Sequence, residues 1–252
     1  MRSLRMLRLG ATQKLFGLVG IFTTCFICFY TLSAMSGQER LTSNRSLKDN
    51  KTPLPIVDYQ NSAHGDQGAM SIRAARGKRH DNSPMHVREL LSNVDQLPIN
   101  QTFWWGLPSI PALQSDAVIV GEITSAQAYL SNDKTGVYSE FIVQVERVLK
   151  TSVPADLTTI AVERPGGAVR FQSGRIVRYE IHRLGMPIVG KRYLLFLRYH
   201  GDGDDFEVLT GYLMRKGRIQ PLDHVEGVFD EYNDWSAPAF LDLVIATIRR
   251  GH

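Results

Sequence analysis

VYSEFIVQVERVLK, residues 137–150, decides the fold. Phe141, Val143 and Val145 recur at every second position with Glu140, Gln144 and Glu146 on the opposite phase. A period of two belongs to a strand with one covered face and one polar face. Immediately before it, SNDKTG (131–136) is a turn cluster, and DAVIVGEI (116–123) is apolar enough for a buried strand. The two strands therefore form a hairpin, and Gly121 inside the first predicts a bulge or bend. Downstream, TTIAVERP (158–165) is a strand stopped by Pro165, and RIVRYEIH (175–182) sets Val177, Tyr179 and Ile181 against Ile176, Arg178, Glu180 and His182. KRYLLFLRYH (191–200) is apolar on both faces from Tyr193 to Leu197, as a central strand covered on two sides must be. FEVLTGYL (206–213) and GRIQPL (217–222), joined by the turn at RKG, complete the set.

Six or seven strands at short spacing predict a mainly β fold, a small antiparallel barrel of OB type over residues 102–235. A C-terminal helix follows over 236–252. Ser236 stands at its N-cap position, Phe240, Leu241, Val244, Ile245 and Ile248 recur at helical spacing, and Arg249 and Arg250 suit the negative end of the dipole. FWWGLPSIP (103–111) reads as an apolar strap laid across the barrel.

The N-terminal part has a different character. Arg2, Arg5, Arg8 and Lys14 precede LFGLVGIFTTCFICFYTL (15–32), an uncharged run that predicts an export segment within residues 1–36. Its length lies between a cleaved signal and a spanning anchor, so the chain is expected either in the membrane with its C-terminal domain outside the cytoplasm, or secreted. Both cysteines, Cys25 and Cys28, fall in this run, so the rest of the chain folds without disulfides. Residues 37–101 hold no sustained hydrophobic period and read as a disordered tether. Within it, RAARGKRH (73–80) reads as a solvated basic stretch, and MHVRELLSNV (85–94) as a short helix behind Ser83 and Pro84.

Charge and motifs narrow the function classes. Of the net +4, residues 1–104 carry +6 and residues 105–252 carry −2, so the folded part lacks the basic balance of a nucleic-acid binder. No G-x-S-x-G and no H-E-x-x-H occurs, and His182, His200 and His224 lie on separate elements. GDGDDFE (201–207) offers Asp202, Asp204, Asp205 and Glu207 without the spacing of a calcium loop, and reads as a strand-connecting turn. No catalytic residue, metal ligand or cofactor is expected. The remaining candidate is ERPGGAVRFQSGRIVR (163–178), where Arg164, Arg170, Arg175 and Arg178 gather around a glycine turn and offer an anion or partner site.

SDAVIVGEI, YSEFIVQVERVLK, VERPGG, GMPIVGKRYLLFL and LTGYLMRKGRIQPL, in this order over residues 113–222, resemble a group of uncharacterised exported bacterial proteins. The resemblance implies a small β-barrel in the cell envelope and brings no activity with it. The barrel is also similar to the oligonucleotide/oligosaccharide-binding topology of tissue metalloproteinase inhibitors and netrin modules. The chain lacks the cysteines that brace those modules, so their inhibitory function does not transfer. The resulting expectation is a membrane-anchored or secreted envelope protein with a non-catalytic binding or scaffolding module for a protein or envelope polymer. A hydrolase or metal-dependent enzyme, with His182, His200 or the 202–207 turn in its site, is the competing class.

Overall fold

The hairpin anticipated at 116–150 is the longest feature among the described residues. A computed structural model describes residues 54–60, 67–89, 96–99, 106–153 and 156–251. Strand β3 (Ala117–Leu130) pairs antiparallel with β4 (Val137–Thr151) along its whole length, with register shifts that include the step at Val120/Gly121. A side chain at Gly121 would strike the Gln144 carbonyl at 2.7 Å, so the close approach at this bend needs a glycine.

β4 continues the sheet to β5 (Thr159–Pro165), and β3 pairs on its other edge with β8 (Arg192–His200). β8 pairs next with β9 (Asp205–Arg215), and β9 with β10 (Arg218–Pro221). β9 also meets β5 in a short parallel pairing, the exception in an otherwise antiparallel six-stranded sheet. From β3 the pairings run through β4, β5, β9 and β8 and return to β3.

The two faces of this sheet enclose different cores, which explains why β8 is apolar on both. Tyr193, Leu195 and Leu197 join Ile119, Ile123, Phe141, Val143, Ile160 and Val162 on one face. Leu194 and Phe196 face the other way, onto Val118, Val120, Tyr212 and helix α2 (Ala237–Arg250). That helix buries Phe240, Val244 and Ile248, each contributing roughly 1.5–3 kcal/mol. Ser236 flanks its first turn as expected, but its side chain makes no capping bond. Instead the Ala237 N–H donates to the Gly217 carbonyl, which holds the helix start to the β9–β10 turn. The strap reading applies to its described part: Leu107 is buried beside α2, and Tyr212 donates its hydroxyl to the Ser109 carbonyl at 2.6 Å.

Two expectations change. The strand expected at 175–182 is present as β7 (Ile176–Ile181), and a short strand not read from the sequence, β6 (Gly167–Arg170), precedes it, with the hairpin turn between the two. Gly166 and Gly167, at φ +110° and +153°, form a corner where the chain leaves the first sheet for a second of four strands. The edges of this second sheet come from residues expected to be tether: β1 (Ile56–Asp58) pairs with β6, and β2 (Gln96–Ile99) with β7, both in parallel. Between them lies helix α1 (Gln67–Lys78). The tether reading is therefore corrected for the described residues of 54–99, which belong to one compact unit with the strands. Apolar periodicity is too short there to mark order, because each piece is held by neighbours supplied from downstream. The helix expected at 85–94 is absent over its described part: Met85 lies in a turn, His86 has a left-handed backbone at φ +46°, and residues 87–89 form no helix, with Met85 and Val87 buried in the core of the second sheet. Residues 90–94, the export segment, and the tether before residue 54 lie outside the described residues. No described helix is long and apolar enough to cross a membrane.

Candidate functional site

Cross-strand register sets the site. Glu140 on β4 stands opposite Glu163 on β5, and Glu163 opposite Glu207 on β9. Residues in register share a face, so three glutamates form a ladder across three neighbouring strands, and Asp205 adds a fourth carboxylate two positions before Glu207. Like charges directly opposite one another repel. The fold answers with α1, whose sequence repeats arginine at every third position, Arg73, Arg76 and Arg79, on one side of the helix and the turn that ends it.

Arg73 and Arg76 share the Glu140 rung, and Arg79 takes the next. Arg73 pairs with Glu140 while its guanidinium lies 3.4 Å over the Tyr129 ring. Arg76 donates to the second oxygen of Glu140 at 2.9 Å and to the Gly203 carbonyl at 2.8 Å, and stands 3.4 Å from Asp205. Arg79 reaches Glu163 Oε1 at 3.0 Å, Asp202 at 3.0 Å and both oxygens of Asp205 at 2.7 Å. The stretch read as solvated, RAARGKRH, is thus the cationic lid of an acidic face. Helical spacing of its arginines was visible in the sequence. The strand register that lines up the glutamates was not.

Beyond Arg79 the lid ends on His80, which stacks on Tyr138 at 4.3 Å and 12° and brings Nε2 to 3.4 Å from Glu163 Oε2. His200 stands 3.5 Å from Glu207, which also takes Arg198 at 3.3 Å. These two histidine–glutamate pairs line one cleft of about 310 Å³ together with Asn82 and Ser83. Glu163 is 3% exposed, and neither its Oε2 nor His80 Nε2 has a hydrogen-bond partner. Burial works against a charge on Glu163, but the neighbouring His80 and the hydrogen-bonded Arg79 outweigh it and hold the carboxyl below its usual range. Asp205 goes the other way. Burial, and then the neighbouring Glu163 charge, push it up to about 7 despite Arg79 and Arg76.

The four arginines singled out in the sequence do not come together. Arg164 is wholly buried, its two terminal nitrogens on the two oxygens of Asp223 at 2.6 and 2.7 Å, with carbonyls of Gly185, Val208 and Leu209 around it. It is a core residue and is withdrawn as an anion ligand. Arg170 pairs with Asp58 at 3.0 Å on the surface, and Arg178 with Glu180 at 2.7 Å. Arg175 is half-buried at the start of β7. Of the histidines, His182 accepts a bond from Arg183 and His224 is exposed, both apart from the residues lining the cleft, whereas His200 lines it. In the 202–207 turn, Asp202 and Asp205 face Arg79, Asp204 accepts from Tyr199, and Glu207 faces β8. Among the described residues no group of three or more histidine, cysteine or acidic side chains is arranged to hold a metal ion.

No known family model and no curated protein matches the chain.

Proposed function

We propose that this chain is a non-catalytic binding module of the bacterial envelope, carried outside the cytoplasm by residues 15–32, with its strand circuit forming an OB-like barrel. In such a barrel the second and third strands, with the loops joining strands one to two and four to five, bind polymers. In this chain those strands are β4 and β5, and the loops are residues 131–136 and 201–204. One observation carries the reading: the cleft lined by His80, Glu163, His200 and Glu207 lies at that place, where Glu163 belongs to β5 and His200 and Glu207 flank the second loop. Polar groups of both signs converge there on a volume suited to a side chain or a small polymer unit. Its carboxylates repel nucleic acids and other polyanions, which leaves a protein or an uncharged or basic envelope polymer as partner. A photo-crosslinking side chain at Asn82, in the full chain within its own envelope, is expected to capture one defined partner, and the same group at exposed Val189 to capture none. Equal labelling at both positions would overturn the reading.

A second reading, an extracytoplasmic hydrolase or metal-dependent enzyme, draws on the same cleft. Each histidine stands beside a glutamate, the arrangement of a general base with its orienting acid. It predicts an activity on envelope material that His200→Ala abolishes without loss of folding.

A further inference from the structure

The lid does not complete the ladder it covers. Arg73 and Arg76 satisfy Glu140, and Arg79 takes Asp205 and one oxygen of Glu163. Past this point the register continues across the sheet, from Glu163 to Glu207, but the arginine repeat has ended and the chain turns away through Asp81, Asn82 and Ser83. What faces the outer rungs is the cleft, with Oε2 of Glu163 buried and accepting no hydrogen bond. His80 and His200 stand beside these rungs and supply a charge only when protonated, and Arg198, half-exposed on β8, gives Glu207 a permanent cation at 3.3 Å.

From this we infer that the cleft is a receptor for the side chain of an arginine on a partner peptide, seated between Glu163 and Glu207 as the next cation in the row that α1 begins. The inference rests on the binding-module reading and names its partner. Three features of this face favour guanidinium over other occupants. The same strand face already binds three guanidinium groups, Arg73 and Arg76 on the two oxygens of Glu140 and Arg79 on both oxygens of Asp205, so its geometry suits a planar, multidentate donor. Tyr129 and Tyr138 show how the face treats what lies on it, since one carries the Arg73 guanidinium and the other the His80 ring. The face also holds a proton that a cation would displace, since burial and then the Glu163 charge raise Asp205 to about 7. A further cation in the cleft would release that proton. The cleft's 310 Å³ holds the liquid volume of about ten waters, room for one long side chain with its solvent.

The test uses the full chain and a seven-residue peptide with one central arginine, set against the same peptide with citrulline, which keeps the shape and removes the charge. Calorimetry at low salt is expected to show the arginine peptide binding at least tenfold tighter, with proton release near pH 7 that scales with buffer ionisation heat. Glu163→Gln and Glu207→Gln each keep the side-chain volume and an acceptor oxygen, and each is expected to reduce the preference for arginine below threefold. Equal binding of both peptides, or a preference unchanged in both variants, would overturn the inference. The module reading fails separately: a crosslink from Asn82 to a glycan with no arginine preference retains the module and discards this partner, while no crosslink and no peptide binding discards both.

Discussion

Asp223→Ala is the substitution that most directly tests the reassignment of Arg164. Both partners are buried, Arg164 at 0% and Asp223 at 3% exposure, and the pair is bidentate. Removing the carboxylate leaves the guanidinium in the core with only carbonyl partners, of which those of Val208 and Leu209 are distant at 3.4 Å. The Gly185 N–H loses its acceptor as well. Breaking a buried pair on one side costs about 3–5 kcal/mol, against roughly 0–1 kcal/mol for an exposed pair. In a domain of this size each kcal/mol lowers Tm by about 2–4 °C, so a fall of about 6–20 °C is expected. Thermal unfolding followed by circular dichroism, with urea unfolding as a second measure, reads the effect. Arg164→Met combined with Asp223→Leu removes both charges and is expected to recover part of the loss, because the pair's desolvation cost disappears with it. A single variant within about 1 kcal/mol of the parent would refute the reasoning, since that is the behaviour of a solvent-screened pair.

Arg79→Ala removes the hydrogen-bonded cation of Glu163 and Asp205, leaving Asp205 with Arg76 at 3.4 Å, and is expected to cost about 3 kcal/mol in urea unfolding, while Arg170→Ala on the surface costs under about 1 kcal/mol. Stability should fall as pH rises from about 4 to about 7, because folded Asp205 keeps a proton that its unfolded form, near 3.9, has released. Glu163 opposes this only below its own unfolded value, where its contribution is lost as pH falls; Asp205→Asn should flatten the Tm profile across that window. Gly167→Ala, at φ +153° with Ser139, Ala128 and Val137 atoms 3.1–3.2 Å from the added carbon, should cost about 1–3 kcal/mol by calorimetry. Arg170→Glu with Arg175→Glu should leave Tm within about 3 °C and arginine-peptide binding at the cleft unchanged, placing the β6–β7 hairpin apart from that site.

Strand periodicity carried most of the β architecture. VYSEFIVQVERVLK and KRYLLFLRYH show their faces residue by residue, and RIVRYEIH alternates in the structure as it does on paper. The same rule contained the fate of Arg164. Ile160 and Val162 fix the inward phase of β5, and Arg164 is two residues on, so its place in the core followed from spacing alone. Its four-arginine context pointed to the surface instead. The elements from residue 56 to 99 were illegible for a different reason. β1 and β2 are three and four residues long and are held by β6 and β7, more than seventy residues downstream, so no local window carries their signal. α1 is held by ion pairs more than by an apolar stripe, and an amphipathic search therefore passes over it.

The ladder explains why α1 belongs to the domain rather than to a linker. Three glutamates in register on adjacent strands are unfavourable for a sheet that must stand alone. A sequence selected only to fold would place threonine or an apolar residue at one rung and need no lid. This chain instead keeps all three and spends a helix, three arginines and a stacked histidine on neutralising two of them. Local choices that oppose the fold and are compensated at a distance are where function is to be sought. The arginines of α1 stop one rung short: among the described residues Glu163 Oε2 has only His80 beside it, Glu207 has Arg198 and His200 from β8, and the cleft opens at that rung. The rung that α1 leaves open, more than the arginine-rich hairpin, is therefore where a partner gains most from binding, and the charge it must bring is positive.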